Sequence, residues 1–228
     1  MVKNIFLDLD DTLFDFLGAE KEALSRTLRH FGITPDEQVL ARYSAINDAQ
    51  WKLLEKKEIT REQVKWRRYA LLFEEFGIDC DPMKVNDHYM EELSKGHLFI
   101  DGAEELLENL YGKYRLYLAS NGTGWVQERR LKSADIGRYF DGIFISQQIG
   151  FDKPDPRFYE GCIRQIPDYD PEETVMVGDS LTSDIKGGQA IGVRTIWFNP
   201  KGKENTSDIR PDYCFSHLSQ LPALLGKL

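Results

Sequence analysis

Lys3-Asn4-Ile5-Phe6-Leu7-Asp8-Leu9-Asp10-Asp11-Thr12 is an apolar run that ends in three aspartates and a threonine. So short and continuous a run predicts a strand over 3–9 buried on both faces, as in the middle of a parallel sheet. Working outward, similar runs predict strands over 114–119, 142–145, 174–177 and 193–198, with a weaker one at 213–215. Helical patterns lie between them. Asp101-Gly102-Ala103-Glu104 and Asp170-Pro171-Glu172-Glu173 each read as an N-cap with an acid at the third helical position. Strands alternating with helices predict an α/β fold with a doubly wound, mainly parallel sheet.

Residues 16–97 break the alternation, showing helical periodicity and no strand signal. Thr34-Pro35-Asp36-Glu37 and Thr60-Arg61-Glu62-Gln63 read as capping boxes, the first with Pro at the first helical position. Val64, Tyr69, Leu72, Phe73 and Phe76 keep helical spacing up to Gly77. The expected organisation is a sheet-bearing core from 1–15 and 98–228, with a helical domain over 16–97 inserted after the first strand. An insertion there would stand over the carboxyl end of the sheet.

The 228 residues carry 29 Lys+Arg against 38 Asp+Glu, a net charge of −9. So acidic a chain offers no basic face to a nucleic-acid polymer or an anionic membrane. No apolar run reaches the length of a membrane span. The N-terminus turns acidic before a signal-peptide stretch could form. Cys80, Cys162 and Cys214 are odd in number and far apart, with no Cys-x-x-Cys spacing. These features predict a soluble cytoplasmic protein with reduced thiols. The four histidines lack zinc-ligand spacing. Assembly is open between a monomer and a small homo-oligomer.

Four polar clusters fall at or just after the carboxyl ends of predicted strands: Asp8 to Thr12, Ser120-Asn121-Gly122-Thr123, Lys153-Pro154, and Gly178-Asp179-Ser180 with Asp184. Open α/β sheets bind ligands in the crevice outside those ends, so the clusters should converge. Asp8 and Asp10, two apart on an extended segment, should point the same way. Two carboxylates at one spot repel unless a cation joins them, and Mg²⁺ takes one or two carboxylates plus water and phosphate oxygens. Asp179 could add another. Asp8 could then attack phosphorus, while Asp10 protonates the leaving alcohol and later deprotonates water. Ser120 or Thr123, backbone N–H groups and Lys153 could bind the remaining phosphate oxygens.

These motifs resemble the haloacid dehalogenase superfamily, whose phosphatases carry Asp-x-Asp-x-Thr, a Ser/Thr, a Lys and a Gly-Asp-x-x-x-x-Asp-type motif in this order. The resemblance spans essentially the whole chain. It implies Asp8 as nucleophile, Asp10 as acid/base, and Ser120 and Lys153 as phosphate ligands. It also implies Mg²⁺ held by Asp8, the Asp10 carbonyl and Asp179, with Asp184 in support, and a helical cap at 16–97. Asp11 to Phe16, Ala45 to Trp51 and Ser120-Asn121-Gly122 further resemble a branch of pyrimidine 5′-nucleotidases. That likeness makes Asn121, Gly122, Phe14, Phe16, Asn47 and Trp51 candidate substrate contacts. Phe14 and Phe16 could equally pack the cap against the core, and Trp51 and Trp66 fit core packing better than substrate binding.

The expected activity is therefore hydrolysis of a small-molecule phosphate ester, a pyrimidine nucleoside 5′-monophosphate. A sugar-phosphate phosphatase or phosphomutase would use the same parts. A 2-haloacid dehalogenase would have no use for Asp10, because a halide needs no proton. A noncatalytic phosphate-binding or interaction module would have no reason to hold a costly acidic cluster.

Overall fold

Asn4–Leu7 forms the first strand, β1, and all four of its residues are buried. The structure, a computed structural model, describes all 228 residues. The remaining strands are β2 (Arg115–Ser120), β3 (Gly142–Ile145), β4 (Thr174–Gly178), β5 (Arg194–Phe198) and β6 (Tyr213–Phe215). They make one sheet in the order β3-β2-β1-β4-β5-β6, with every pairing parallel. Alternate residues feed two cores. Ile5, Leu7, Leu116, Leu118, Val175 and Val177 pack on one face. Phe6, Tyr117, Ala119 and Met176 pack on the other. Burial on both faces is why the strands read as continuous apolar runs.

The chain divides into two compact units, Met1–Asp15 with Leu98–Leu228, and Phe16–His97. The second unit holds α1 (Phe16–His30), α2 (Glu37–Glu55), α3 (Arg61–Phe76) and α4 (Pro82–Ser94). Within it α1 packs on α4, and α2 on α3. In the sheet unit, α5 (Ala103–Leu110), α6 (Gly124–Ala134), α7 (Ser146–Ile149), α8 (Pro156–Ile163), α9 (Lys186–Ala190) and α10 (Leu221–Leu225) complete the helices. No helix is long and apolar enough to cross a membrane.

The ends of α3 follow the local chemistry. Thr60 and Gln63 form a reciprocal capping box, and Gly77 closes the helix at φ 62°, a left-handed conformation open to glycine. Three other starts differ from expectation. At α2 the N-cap is Asp36, whose carboxylate accepts from the Val39 N–H at 2.8 Å, so Thr34 and Pro35 lie outside the helix. Gly102, left-handed at φ 80°, takes the cap position of α5 in place of Asp101. Asp170 does cap, yet only a 3-10 turn follows, because β4 begins at Thr174 and leaves no room for a helix.

Candidate active site

Asp8 follows β1 directly and still donates its N–H to the Val177 carbonyl at 3.0 Å. The chain then turns sharply. Asp11 is left-handed at φ 61°, and the Leu9 carbonyl accepts from the N–H groups of Leu13 and Phe14. This turn gives Asp8 and Asp10 separate sets of partners, replacing the shared direction of an extended segment.

Asp8 enters a buried charged cluster. The Lys153 ammonium donates to Asp8 Oδ1 at 2.6 Å, to Asp184 Oδ1 at 2.7 Å and to the Ala119 carbonyl at 2.5 Å. All three of its hydrogens are thereby used. Thr12 Oγ1 donates to Asp8 Oδ2 at 3.2 Å and accepts from the Asp179 N–H at 3.1 Å, tying the first and last motifs together. Asp184 Oδ2 accepts from the Ser180 N–H at 3.0 Å. A single π-helical turn, Leu181–Ile185, carries Asp184 back onto the end of β4. There Gly178 is required, because a Cβ would lie 2.2 Å from the Asp184 carboxylate.

Carboxylate oxygens of Asp8, Asp179 and Asp184 lie within 4.8 Å of one another. When all are ionised, three carboxylates against one ammonium carry two negative charges in excess. Burial pushes the Asp8 carboxyl up to about 7, with Lys153 opposing the rise and Asp184 adding to it. Burial, then Asp8 and Asp184, likewise raise Asp179 well above the usual carboxylate range. Burial alone would lower the Lys153 ammonium, but Asp184 and Asp8 outweigh it and raise it. Hard oxygen donors, close spacing and two excess charges fit a small divalent cation such as Mg²⁺, with bonds of about 2.1 Å.

Asp10 lies on the other side of the loop. Its Oδ2 accepts from Gln127 Nε2 at 2.7 Å and its Oδ1 from Arg130 Nη1 at 2.6 Å. Its carboxylate is thus outside the three-acid cluster, and only its backbone carbonyl could serve a metal there. Ser120, buried at the end of β2, accepts from Gln127 Nε2 at 2.9 Å. Gln127 and Arg130 escaped the sequence reading. Their only signal was a three-residue spacing that puts both on one face of the helix after Ser120.

The six candidate substrate residues have varied surroundings. Asn121 forms a reciprocal pair with the Lys153 backbone, at 2.9 and 2.8 Å. The Gly122 N–H donates to Ser146 Oγ at 3.3 Å. Phe14 is buried edge-on to Phe99, with the Arg130 guanidinium over its ring. Phe16 is partly buried at the start of α1. Asn47 is buried inside the helical unit, giving its amide N–H to Glu20 and its oxygen to Arg68. Trp51 is partly buried beneath the Arg61 guanidinium.

The family model described as haloacid dehalogenase-like hydrolase matches residues 5–198, most of the chain. The chain belongs to that family. It is 35% identical to the HAD-hydrolase YfnB of Bacillus subtilis, over 98% of this chain and 95% of that protein. The crystal structure of YfnB bound to magnesium matches with a TM-score of 0.95, covering 98% of each chain. The pyrimidine 5′-nucleotidase PynA of Streptococcus pneumoniae is 38% identical, over 92% of this chain and 90% of that one. The pyrimidine 5′-nucleotidase YjjG of Escherichia coli is 29% identical, over 98% and 97%. Membership of this hydrolase family makes the chain an enzyme of the haloacid dehalogenase superfamily.

Proposed function

We propose that the chain is a Mg²⁺-dependent cytoplasmic phosphatase that hydrolyses a pyrimidine nucleoside 5′-monophosphate through an aspartyl-phosphate on Asp8. The observation that carries this reading is the division of labour between the two motif aspartates. Asp8 lies in the three-acid cluster with Lys153, while Asp10 stands apart between a glutamine and an arginine. The pyrimidine preference is supported by the likeness to PynA and YjjG.

Asp8, Asp179 and Asp184, with the Asp10 carbonyl, would hold the Mg²⁺. The ion would supply positive charge against the phosphate dianion, which a chain of net charge −9 otherwise repels. An Asp8 carboxylate oxygen attacks phosphorus in line, and the bond from phosphorus to the ester oxygen breaks. Asp10 gives its proton to the departing alcohol. It then takes a proton from the water that attacks the aspartyl-phosphate, which frees phosphate and restores Asp8. Lys153, whose three hydrogens go to Asp8, Asp184 and the Ala119 carbonyl rather than to phosphate, orients Asp8 and supplies positive charge beside it. The Ser120 hydroxyl binds a phosphate oxygen. Residues 16–97 act as a cap that selects the substrate.

The test is phosphate release with Mg²⁺ across pyrimidine and purine monophosphates, sugar phosphates and a small aryl phosphate, with Asp8→Asn as blank. Preference for pyrimidine monophosphates is the expected result. Preference for sugar phosphates would remove the nucleotidase part and leave the chemistry. Turnover by Asp8→Asn, or none by the wild type, would sink the mechanism.

A further inference from the structure

Asp10 does not hold its place alone. Gln127 and Arg130 lie three apart on α6, and both are buried, Arg130 completely. Asp10 keeps 23% of its side chain exposed, so the carboxylate is held by buried partners and is itself only partly buried. The polar atoms close a ring. One hydrogen of Arg130 Nη1 goes to Asp10 Oδ1 at 2.6 Å and the other to Gln127 Oε1 at 2.9 Å. The two hydrogens of Gln127 Nε2 go to Asp10 Oδ2 at 2.7 Å and to Ser120 Oγ at 2.9 Å. The orientation of the amide follows from chemistry, since a guanidinium only donates, so Gln127 Oε1 faces Arg130 and Nε2 faces Asp10 and Ser120. Ser120 Oγ accepts from Gln127 through one of its two lone pairs, which turns its own O–H away from the glutamine.

We infer that Gln127 and Arg130 are positioning residues of this reaction. They hold both oxygens of Asp10 for proton transfer to the leaving alcohol, and Gln127 orients the Ser120 hydroxyl so that its O–H points away from the glutamine. The inference rests on the phosphatase reading above. One glutamine thus couples the acid/base group to a phosphate-binding hydroxyl, two roles that the motifs assign to separate strands. The surroundings leave little slack. A Cβ on Gly122 would stand 2.7 Å from Gln127 Cγ, so the backbone at 122 presses on the glutamine from the other side.

The experiment compares an alkyl phosphate, whose alcohol leaves only when protonated, with an aryl phosphate whose phenolate leaves without help. It reads kcat/KM, which reports the steps up to departure of the alcohol. Gln127→Met keeps the length and volume of the side chain and removes all three hydrogen bonds. Its expected effect is about a hundredfold on the alkyl ester, from the acid-catalysis share of the rate, against less than about tenfold on the aryl ester. In an Asp10→Asn background, Gln127→Met should add nothing to that difference. Arg130→Lys should recover part of what Arg130→Met loses. Should Arg130→Met fail to fold, Gln127→Met with a thermal-unfolding control decides alone. Equal losses on the two esters, or an alkyl-against-aryl difference that grows further in the Asp10→Asn background, would overturn the inference while the phosphatase reading stands. A wild type inactive on both esters would overturn that reading instead.

Discussion

Each of the two units buries a cation among polar groups, and the two balance it in opposite ways. In the helical unit Arg68 lies 5.0–5.9 Å from the rings of Tyr43, Tyr69 and Tyr89. It donates to the side-chain oxygens of Asn47 and Asn86, and Asn47 passes a hydrogen bond on to Glu20. The Tyr43 hydroxyl donates to that of Tyr69 at 2.9 Å. One guanidinium meets one carboxylate through an amide, so charge is balanced within the network. In the sheet unit Lys153 pairs with Asp8 and Asp184, and with Asp179 in the same cluster one ammonium cannot neutralise three carboxylates. The first arrangement balances its charge internally, although the buried Arg68 Nε has no hydrogen-bond partner. The second is a cluster whose charge asks for a ligand, which is how a functional site differs from a structural one.

The largest expected effect is on turnover. Asp8→Asn should lower phosphate release on the order of 10⁴-fold or more, as loss of a nucleophile does, while the fold persists. Circular dichroism beside the phosphate assay checks both halves. The matching change in the helical unit should act on stability. Arg68→Met removes the donors to Asn47 and Asn86 from a buried site and should cost about 3–5 kcal/mol in a urea melt. A loss below about 1 kcal/mol would erase the contrast between the units.

Next comes the cation. Mg²⁺ at about a hundred times its Kd should stabilise the protein by about 2.7 kcal/mol, read by thermal unfolding with and without a chelator. Asp179→Asn should shrink that gain, and Arg68→Lys should leave it alone.

The sign of the pH dependence is set by Asp8. Its carboxyl rises from 3.8 unfolded to about 7 in the folded protein, chiefly through burial. The folded state therefore holds more protons between those values. The stabilisation is full below 3.8 and is lost as pH rises through about 7 in metal-free protein. Mg²⁺ needs the ionised form, so its affinity should climb over the same range and level off above it. Urea melts and Mg²⁺ titrations at pH 5 to 8 check both trends. Trp66→Ala, at a side chain 40% exposed, should change stability by no more than about 0.5 kcal/mol.

The sequence by itself determined the strands and the ligand-bearing motifs. Central parallel strands are buried on both faces, so β1, β2, β4 and β5 were readable as apolar runs to within a residue or two at each end. Asp8, Ser120 and Asp179 sit where strands stop and Lys153 follows the helix after β3, and they were readable as an ordered set, since Ser120 or Lys153 taken singly says little. Only the tertiary structure decided the partners. Whether Asp36 or Thr34 caps α2 depends on which oxygen reaches the Val39 N–H, and the two have similar capping preference. That Asp10 belongs with Gln127 and Arg130, 117 and 120 residues away, follows from the turn at Asp11 and the placement of α6. Asn47 drew attention by its position in a motif-like stretch, yet its amide is committed at both ends because helices distant in sequence bring Glu20 and Arg68 to it. Periodicity records which side of an element is buried. It carries no information about which distant hydrogen-bonding group waits on that side, because that choice is made by packing.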